Sequence, residues 1–235
     1  MRWWFVVFVL GAACGRIGFD PRDGAIDTSA AIDALPAAAP CPSTIVLADD
    51  FADGVRAPKW GLVQYSGITV SEVPDVLRVA FTMATAPAQF GGYESMTAFD
   101  VTNGCVTAQL VTPPPPGAYA YLTWGAIGTD QKFEIEIDAT QIGWWYQMAG
   151  TVTDVIYTPW SPGAAPYVRM HHASTGFTLE VSADGAQFAV LANTTTVPFD
   201  LTMASVRLGG GTEKNAGGVA SDGKIEWTTV QLATP

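Results

Sequence analysis

The chain has 235 residues, of which 49% are hydrophobic and only 14% charged, with 24 glycines and 16 prolines. That length suits one β-rich domain with a short appendage, and so little Lys and Glu argues against a helical bundle. A net charge of −11 excludes the clustered basic surface that phosphate backbones require, so nucleic acid is not an expected partner.

Met1-Arg2 supplies one positive charge, and Trp3 to Ala13 is an unbroken apolar or small stretch. It is too short to cross a bilayer, which takes about 20 helical residues. A charged start, a short apolar run and small residues before a cut predict a secretory signal over residues 1–13. Leu10-Gly11-Ala12-Ala13-Cys14 resembles a bacterial lipobox, with its leucine four residues before the cysteine where that pattern has three. The resemblance implies a lipoprotein whose Cys14 carries the lipid. Each buried methylene of such an anchor contributes about 0.8 kcal/mol, and stable attachment takes more than one chain. Gly15 after the cysteine implies passage to the outer membrane, so the expected location is the outer membrane or cell surface.

Residues 14–42 are rich in Ala, Asp and Pro and show no strand period, which predicts a flexible tether. Over about 26 residues it would reach roughly 25–30 Å. A short helix near Ala30–Leu35 is the competing reading. With Cys14 lipidated, Cys41 and Cys105 are an even pair in an oxidising compartment, and a Cys41–Cys105 disulfide is expected, two free buried thiols being the alternative. Neither has a His or Cys at metal-ligand spacing.

From residue 43 to 235 the chain reads as successive strands. TIVLADDF opens it, and LVQYSGITVSEVPDVLRVAFT holds two β-branched runs split by Pro74-Asp75. AFDVTNGCVTAQLVT alternates apolar and polar residues. After a proline run come AYAYLTWGAIG and KFEIEIDATQIGWWYQMAG. In KFEIEID, Phe133, Ile135 and Ile137 share one face, while Glu134, Glu136 and Asp138 share the other. IYTPWSPGAAPY reads as a Pro-rich loop. YVRMHHAS and GFTLEVSADGAQFAVL follow, the latter folded at Ala183-Asp184-Gly185, and MASVRLGGGT and KIEWTTVQL close the chain. About a dozen short strands with Gly-rich turns predict an all-β, two-sheet antiparallel sandwich.

Asp49-Asp50-Phe51, Trp60 and Val76-Leu77-Arg78-Val79 resemble the opening of a concanavalin A-like jelly roll. Tyr167 to Ala173, Gly176 to Gly185 and Phe188 are similar to paired strands of its laminin-G-like and DUF1349-type members. The resemblance implies the jelly-roll sandwich for most of residues 43–232; it specifies fold more than activity. β-Glucanases of this superfamily carry their catalytic pair on a strand reading Glu-x-Asp-x-Glu or a variant one residue longer. Here the order is Glu134-Ile-Glu136-Ile-Asp138, with the middle and last acid types exchanged.

The candidate ligand contacts are Glu134 and Glu136, about 6.5–7 Å apart along one strand face, with Trp144, Trp145 and Trp160, whose rings suit stacking on sugars. Tyr157 belongs to the same aromatic set. Alternation sends Trp144 and Trp145 to opposite sides, so one is expected in the core. Arg169 and His171 share a strand face and complete the set, although a hydrogen-bonded groove network is the favoured reading of them. No catalytic residue and no metal ligand are assigned. Asp49, Asp50 and Asp53 are a weak indication of Ca²⁺, which takes six to eight oxygens. The expected function is a surface-anchored lipoprotein that binds carbohydrate or another extracellular ligand without catalysis. The alternatives are an interaction lipoprotein with no small ligand, and a glycoside hydrolase.

Overall fold

The computed structural model describes residues 35–82, 85–212 and 222–235. The signal segment, Cys14 and most of the tether lie outside them. Fifteen strands follow one another: β1 (Thr44–Asp49), β2 (Trp60–Gln64), β3 (Ile68–Val73), β4 (Val76–Phe81), β5 (Phe90–Ser95), β6 (Cys105–Thr112), β7 (Ala118–Ala126) and β8 (Lys132–Ile137); then β9 (Gln141–Met148), β10 (Thr151–Pro159), β11 (Tyr167–Ala173), β12 (Gly176–Ser182), β13 (Ala189–Thr194), β14 (Ala204–Thr212) and β15 (Gly223–Thr234). One 3₁₀ turn, Leu201–Met203, is capped by the Asp200 side chain.

The strands form two antiparallel sheets. One has eight strands in the order β13-β12-β11-β6-β15-β4-β3, with β1 also paired to β15; the other has seven, β10-β9-β8-β7-β14-β5-β2. Alternation decides which residues lie between them. Phe133, Ile135 and Ile137 of β8 are fully buried among Trp124, Trp144 and Phe177, each such aliphatic or phenyl group contributing about 1.5–3 kcal/mol. The same alternation turns Lys132, Glu134 and Glu136 to the outer face of the seven-stranded sheet.

Turn chemistry sets the register. Val73 pairs with Val76 across Pro74-Asp75, with Asp75 at φ 70°; Pro first and a left-handed residue second is the pattern of a type II turn. Two stretches differ from the sequence reading. Ala98 to Gly104 does not continue a strand into β6, because Asp100 accepts the Thr102 N–H at 3.0 Å and Asn103 is left-handed at φ 55°. The first part of the Pro-rich loop is instead edge strand β10, where Pro159 costs no ladder bond because it ends the strand at the sheet margin.

Cys41 and Cys105 are joined, their Cα atoms 5.8 Å apart. Ahead of that bridge the end of the expected tether is docked. Ala37 pairs with Ala189, the Ala38 N–H donates to Phe188 O at 2.9 Å, and Val190 N–H donates to Pro36 O at 2.8 Å. Residues 35–41 therefore strap the margin of the eight-stranded sheet, ahead of residue 43.

Candidate functional site

Because side chains on adjacent strands stand in register, the outer face of the seven-stranded sheet reads as rows. One row crosses five strands as Trp145, Glu134, Thr123, Arg207 and Glu94. The next runs through Glu136, Tyr121, Gly209, Gly92 and Val63. A third joins Tyr119, Gly211 and Phe90 to Tyr65, whose N–H donates to Phe90 O at 3.1 Å. The side chains of these rows other than Glu136, together with Lys132, line a groove of about 410 Å³.

At one end of the groove stands a tight polar cluster. Glu134 is buried, and its Oε2 accepts Thr123 Oγ1 at 2.8 Å and Lys132 Nζ at 2.7 Å. The same ammonium lies 4.7 Å above the Trp145 ring, a cation–π contact. The Trp145 indole N–H donates to Glu136 Oε2 at 3.3 Å. Beside them Arg207 and Glu94 form an ion pair at 2.7 Å. Asp138, third in the acidic series, serves the β8–β9 turn: it accepts the N–H groups of Thr140 at 2.7 Å and Gln141 at 2.9 Å, and the Gln141 side chain at 2.7 Å.

The other end is aromatic, and glycines make it so. A Cβ at Gly211 would fall 2.7 Å from the Tyr119 ring, and one at Gly209 would fall 2.6 Å from the Tyr121 hydroxyl. Both tyrosines therefore lie down across β14, and Tyr121 OH donates to Gly91 O at 3.1 Å. Burial pushes the Tyr121 phenol well above its ordinary pKa, with the nearby Glu134 charge adding to the effect. Tyr65 and Phe90 extend this floor, their ring centroids 4.1 Å apart.

Of the residues singled out in the sequence, Glu134, Glu136 and Trp145 come together here. Tyr157 joins the same face from β10, its ring lying over Gly143 in the register row of Glu136. Trp144 and Trp160 do not join it: both are buried in the core, and Trp144 stacks on Phe133 at 5.0 Å. The strand period turns Trp144 inward, and Trp160 follows the β10 terminus into the sandwich.

Arg169 and His171 sit on β11, in the opposite sheet from Glu134 and Trp145. Their shared partner is Glu180, which is buried. Arg169 pairs with Glu180, its guanidinium also donates to Ala39 O at 3.0 Å, and it lies 3.9 Å above the Phe188 ring. His171 Nδ1 stands 3.3 Å from Glu180 Oε1, which also accepts Thr178 Oγ1 at 2.6 Å. This is an internal network beneath the strap, and its groups have one another as partners.

Asp49, Asp50 and Asp53 are turn formers. Asp49 takes the Trp60 indole N–H at 2.7 Å and Lys59 at 3.2 Å, while Asp50 and Asp53 accept the N–H groups of Ala52 and Val55. Among the described residues no group of three or more His, Cys, Asp or Glu is arranged to hold a metal ion.

The groove residues the sequence reading missed are Tyr65, Phe90, Tyr119, Tyr121, Lys132, Glu94 and Arg207. A signal did exist: Gly91-Gly92 and Gly209-Gly210-Gly211 interrupt strands, and a strand glycine marks a place where something lies close to the backbone.

No family model and no curated protein matches the chain. Solved structures do. A non-specific endo-β-1,3(4)-glucanase of family GH16, SCLam, superposes with a TM-score of 0.63 at 15% identity, over 84% of this chain and 94% of that one. A prokaryotic β-1,3-1,4-glucanase (lichenase) from a mouse hindgut metagenome gives 0.61 at 12% identity, over 81% and 99%. LamAcat from Zobellia galactanivorans gives 0.60 at 13% identity, over 82% and 98%. The chain has the concanavalin A-like jelly-roll fold. At such identities the likeness speaks for architecture.

Proposed function

We propose that this protein is an exported, lipid-anchored carbohydrate-binding module that holds its ligand on the outer face of the seven-stranded sheet without cleaving it. The observation that carries the reading is the groove itself, where carboxylates, an indole and flat-lying phenol rings meet on one sheet face. Sugars need both elements: hydrogen-bonding groups for their hydroxyls and aromatic faces for their apolar sides. The GH16 likeness supports carbohydrate as the ligand class. The lipobox-like segment before Cys14 supports the anchor, and the Cys41–Cys105 bridge accords with an oxidising compartment.

The absence of cleavage is inferred from the state of the acids. Hydrolysis of a glycosidic bond uses one carboxylate and one protonated carboxylic acid flanking it. Glu134 is already engaged, its Oε2 accepting both the Lys132 ammonium and the Thr123 hydroxyl. Asp138 is committed to the β8–β9 turn and has no freedom to deliver a proton. A hydrolase is the second reading, favoured by the coincidence of the Glu134/Glu136 strand with the groove in a glucanase fold. A glycan-array screen of the full chain tests the first reading, and reducing-end release from each bound polysaccharide tests the second. Binding with no release supports the module, release that Glu134→Gln abolishes establishes the hydrolase, and silence across the array refutes both.

A further inference from the structure

The strap joins the tether to the domain, and its path decides where a pull on the tether is felt. From Leu35 it passes the β13 margin, where the Ala38 N–H donates to Phe188 O and the Val190 N–H to Pro36 O. It then meets the Arg169 guanidinium, which donates to Ala39 O, and ends at Cys41 in the bridge to Cys105. Up to the bridge its hold is slight. Pro36, Ala37, Ala39 and Pro40 are exposed, so the strap removes little apolar area from water. Arg169 keeps Glu180 and the Phe188 ring when Ala39 withdraws, so its charge stays paired.

The bridge leads into the middle of the sheet. Cys105 is buried and opens β6, an inner strand with β11 on one side and β15 on the other. Residues 42–104, which the bridge closes into a loop, contain β1 to β5. Of these, β1, β3 and β4 belong to the eight-stranded sheet and β2 and β5 to the other. Tyr65, Phe90 and Glu94 of the groove lie in the same span. Without the bridge, a pull arriving at residue 41 enters at β1, whose ladder partner among the described residues is β15 alone, and works on through these strands.

We propose that strap and bridge form the force-bearing attachment of this domain. Under tension on the tether, residues 35–40 peel away first, and Cys41–Cys105 then carries the pull directly into β6, past β1 to β5, so that both sheets keep their register. The role rests on the lipid-anchor reading, since tension arises when the tether is fixed at one end and the domain is held at the other. The mechanics rest on the contacts of the strap alone. Its peeling is a local opening of the kind that weakly held margins undergo well below global unfolding. It lengthens the attachment by at most about 20 Å before the fold is loaded.

The test is single-molecule stretching of the full chain in magnetic tweezers, held by its N-terminal end and by a clickable residue in place of Thr129, which is exposed between β7 and β8. Oxidised wild type is expected to show a small reversible step of at most about 20 Å at low force, and to unfold only at a higher force. Ala38→Pro removes the N–H that bonds Phe188, so it is expected to lower the force of the first step and leave the second unchanged. Cys41→Ala, and wild type treated with a dithiol reductant, are expected to unfold at a lower force and to release roughly 200 Å more chain, that of residues 42–104. The reductant arm needs no substitution, so a folding defect in the variant does not decide the result. A single step in oxidised wild type, with strap and domain letting go together, overturns the release. Equal unfolding forces with and without the bridge overturn the load path. A mature chain extracted from cells without acyl groups on Cys14 refutes the anchor reading, and the role with it, whatever the traces show.

Discussion

Replacing Cys41 by alanine removes a cross-link between positions 64 residues apart in sequence. In the loop-closure account, opening a loop of that length restores unfolded-chain entropy worth about 4 kcal/mol at 25 °C, and measured losses commonly run at 2–4 kcal/mol. Cys105 is buried and stays in place as a free thiol, so packing around β6 is unchanged. The strap does change: Ala39 O, which accepts from Arg169, sits two residues before the lost anchor. The assay is urea unfolding followed by tryptophan fluorescence, for oxidised wild type and Cys41→Ala side by side. A loss of about 3 kcal/mol lowers the melting temperature by roughly 6–12 °C for a domain of this size. The denaturant slope should also rise, because an uncross-linked unfolded chain exposes more surface. Two curves that superimpose would refute the reasoning, since they would mean that the bridge constrains neither the unfolded chain nor the strap.

Glu226 lies on β15, where burial raises its pKa but the hydrogen bonds from Thr112, Lys224 and Arg78 outweigh it and bring the carboxyl down to about 2. A depressed carboxylate contributes stability above its unfolded pKa of about 4.5 that is lost as pH falls toward 2. Glu226→Gln should therefore flatten the acid limb of the stability curve by roughly 1–3 kcal/mol, discounted because Arg78 and Lys224 are partly exposed. His172 Nδ1 accepts the Asn103 N–H at 3.0 Å, and burial, with His171 adding, lowers its pKa. The unfolded chain then binds the proton more readily, so stability falls as pH drops below about 6.5, and His172→Gln should remove that slope in a pH series of melting curves. Gly211→Ala should lift the Tyr119 ring and weaken polysaccharide binding with the fold retained. Gly209→Ala, whose Cβ would lie 2.1 Å from Gly91 O, meets backbone and should cost about 2–4 kcal/mol in denaturant titration.

Much of this architecture is legible in the sequence because strand alternation is local. The KFEIEID stretch declares its buried and exposed faces outright, the Pro74-Asp75 and Ser182–Gly185 turns declare their hairpins, and Trp144 and Trp145 must diverge simply by being adjacent. The acidic face of β8 and its nearness to an indole follow from the same period of two. So does the exclusion of nucleic acid, from charge alone. What alternation does not contain is which strands become neighbours. Arg169 and His171 share a face by the same period, and only the pairing of β11 with β6 and β12 puts them on the sheet opposite Glu134, under the strap and around Glu180. Thr123, Arg207 and Glu94 enter the groove from strands far apart in the chain, and Tyr65 with Phe90 meet Tyr119 only across β14. Their identity as a site depends on long-range register, to which no short window of sequence has access, and on the glycines that let rings rest against a backbone they would otherwise clear.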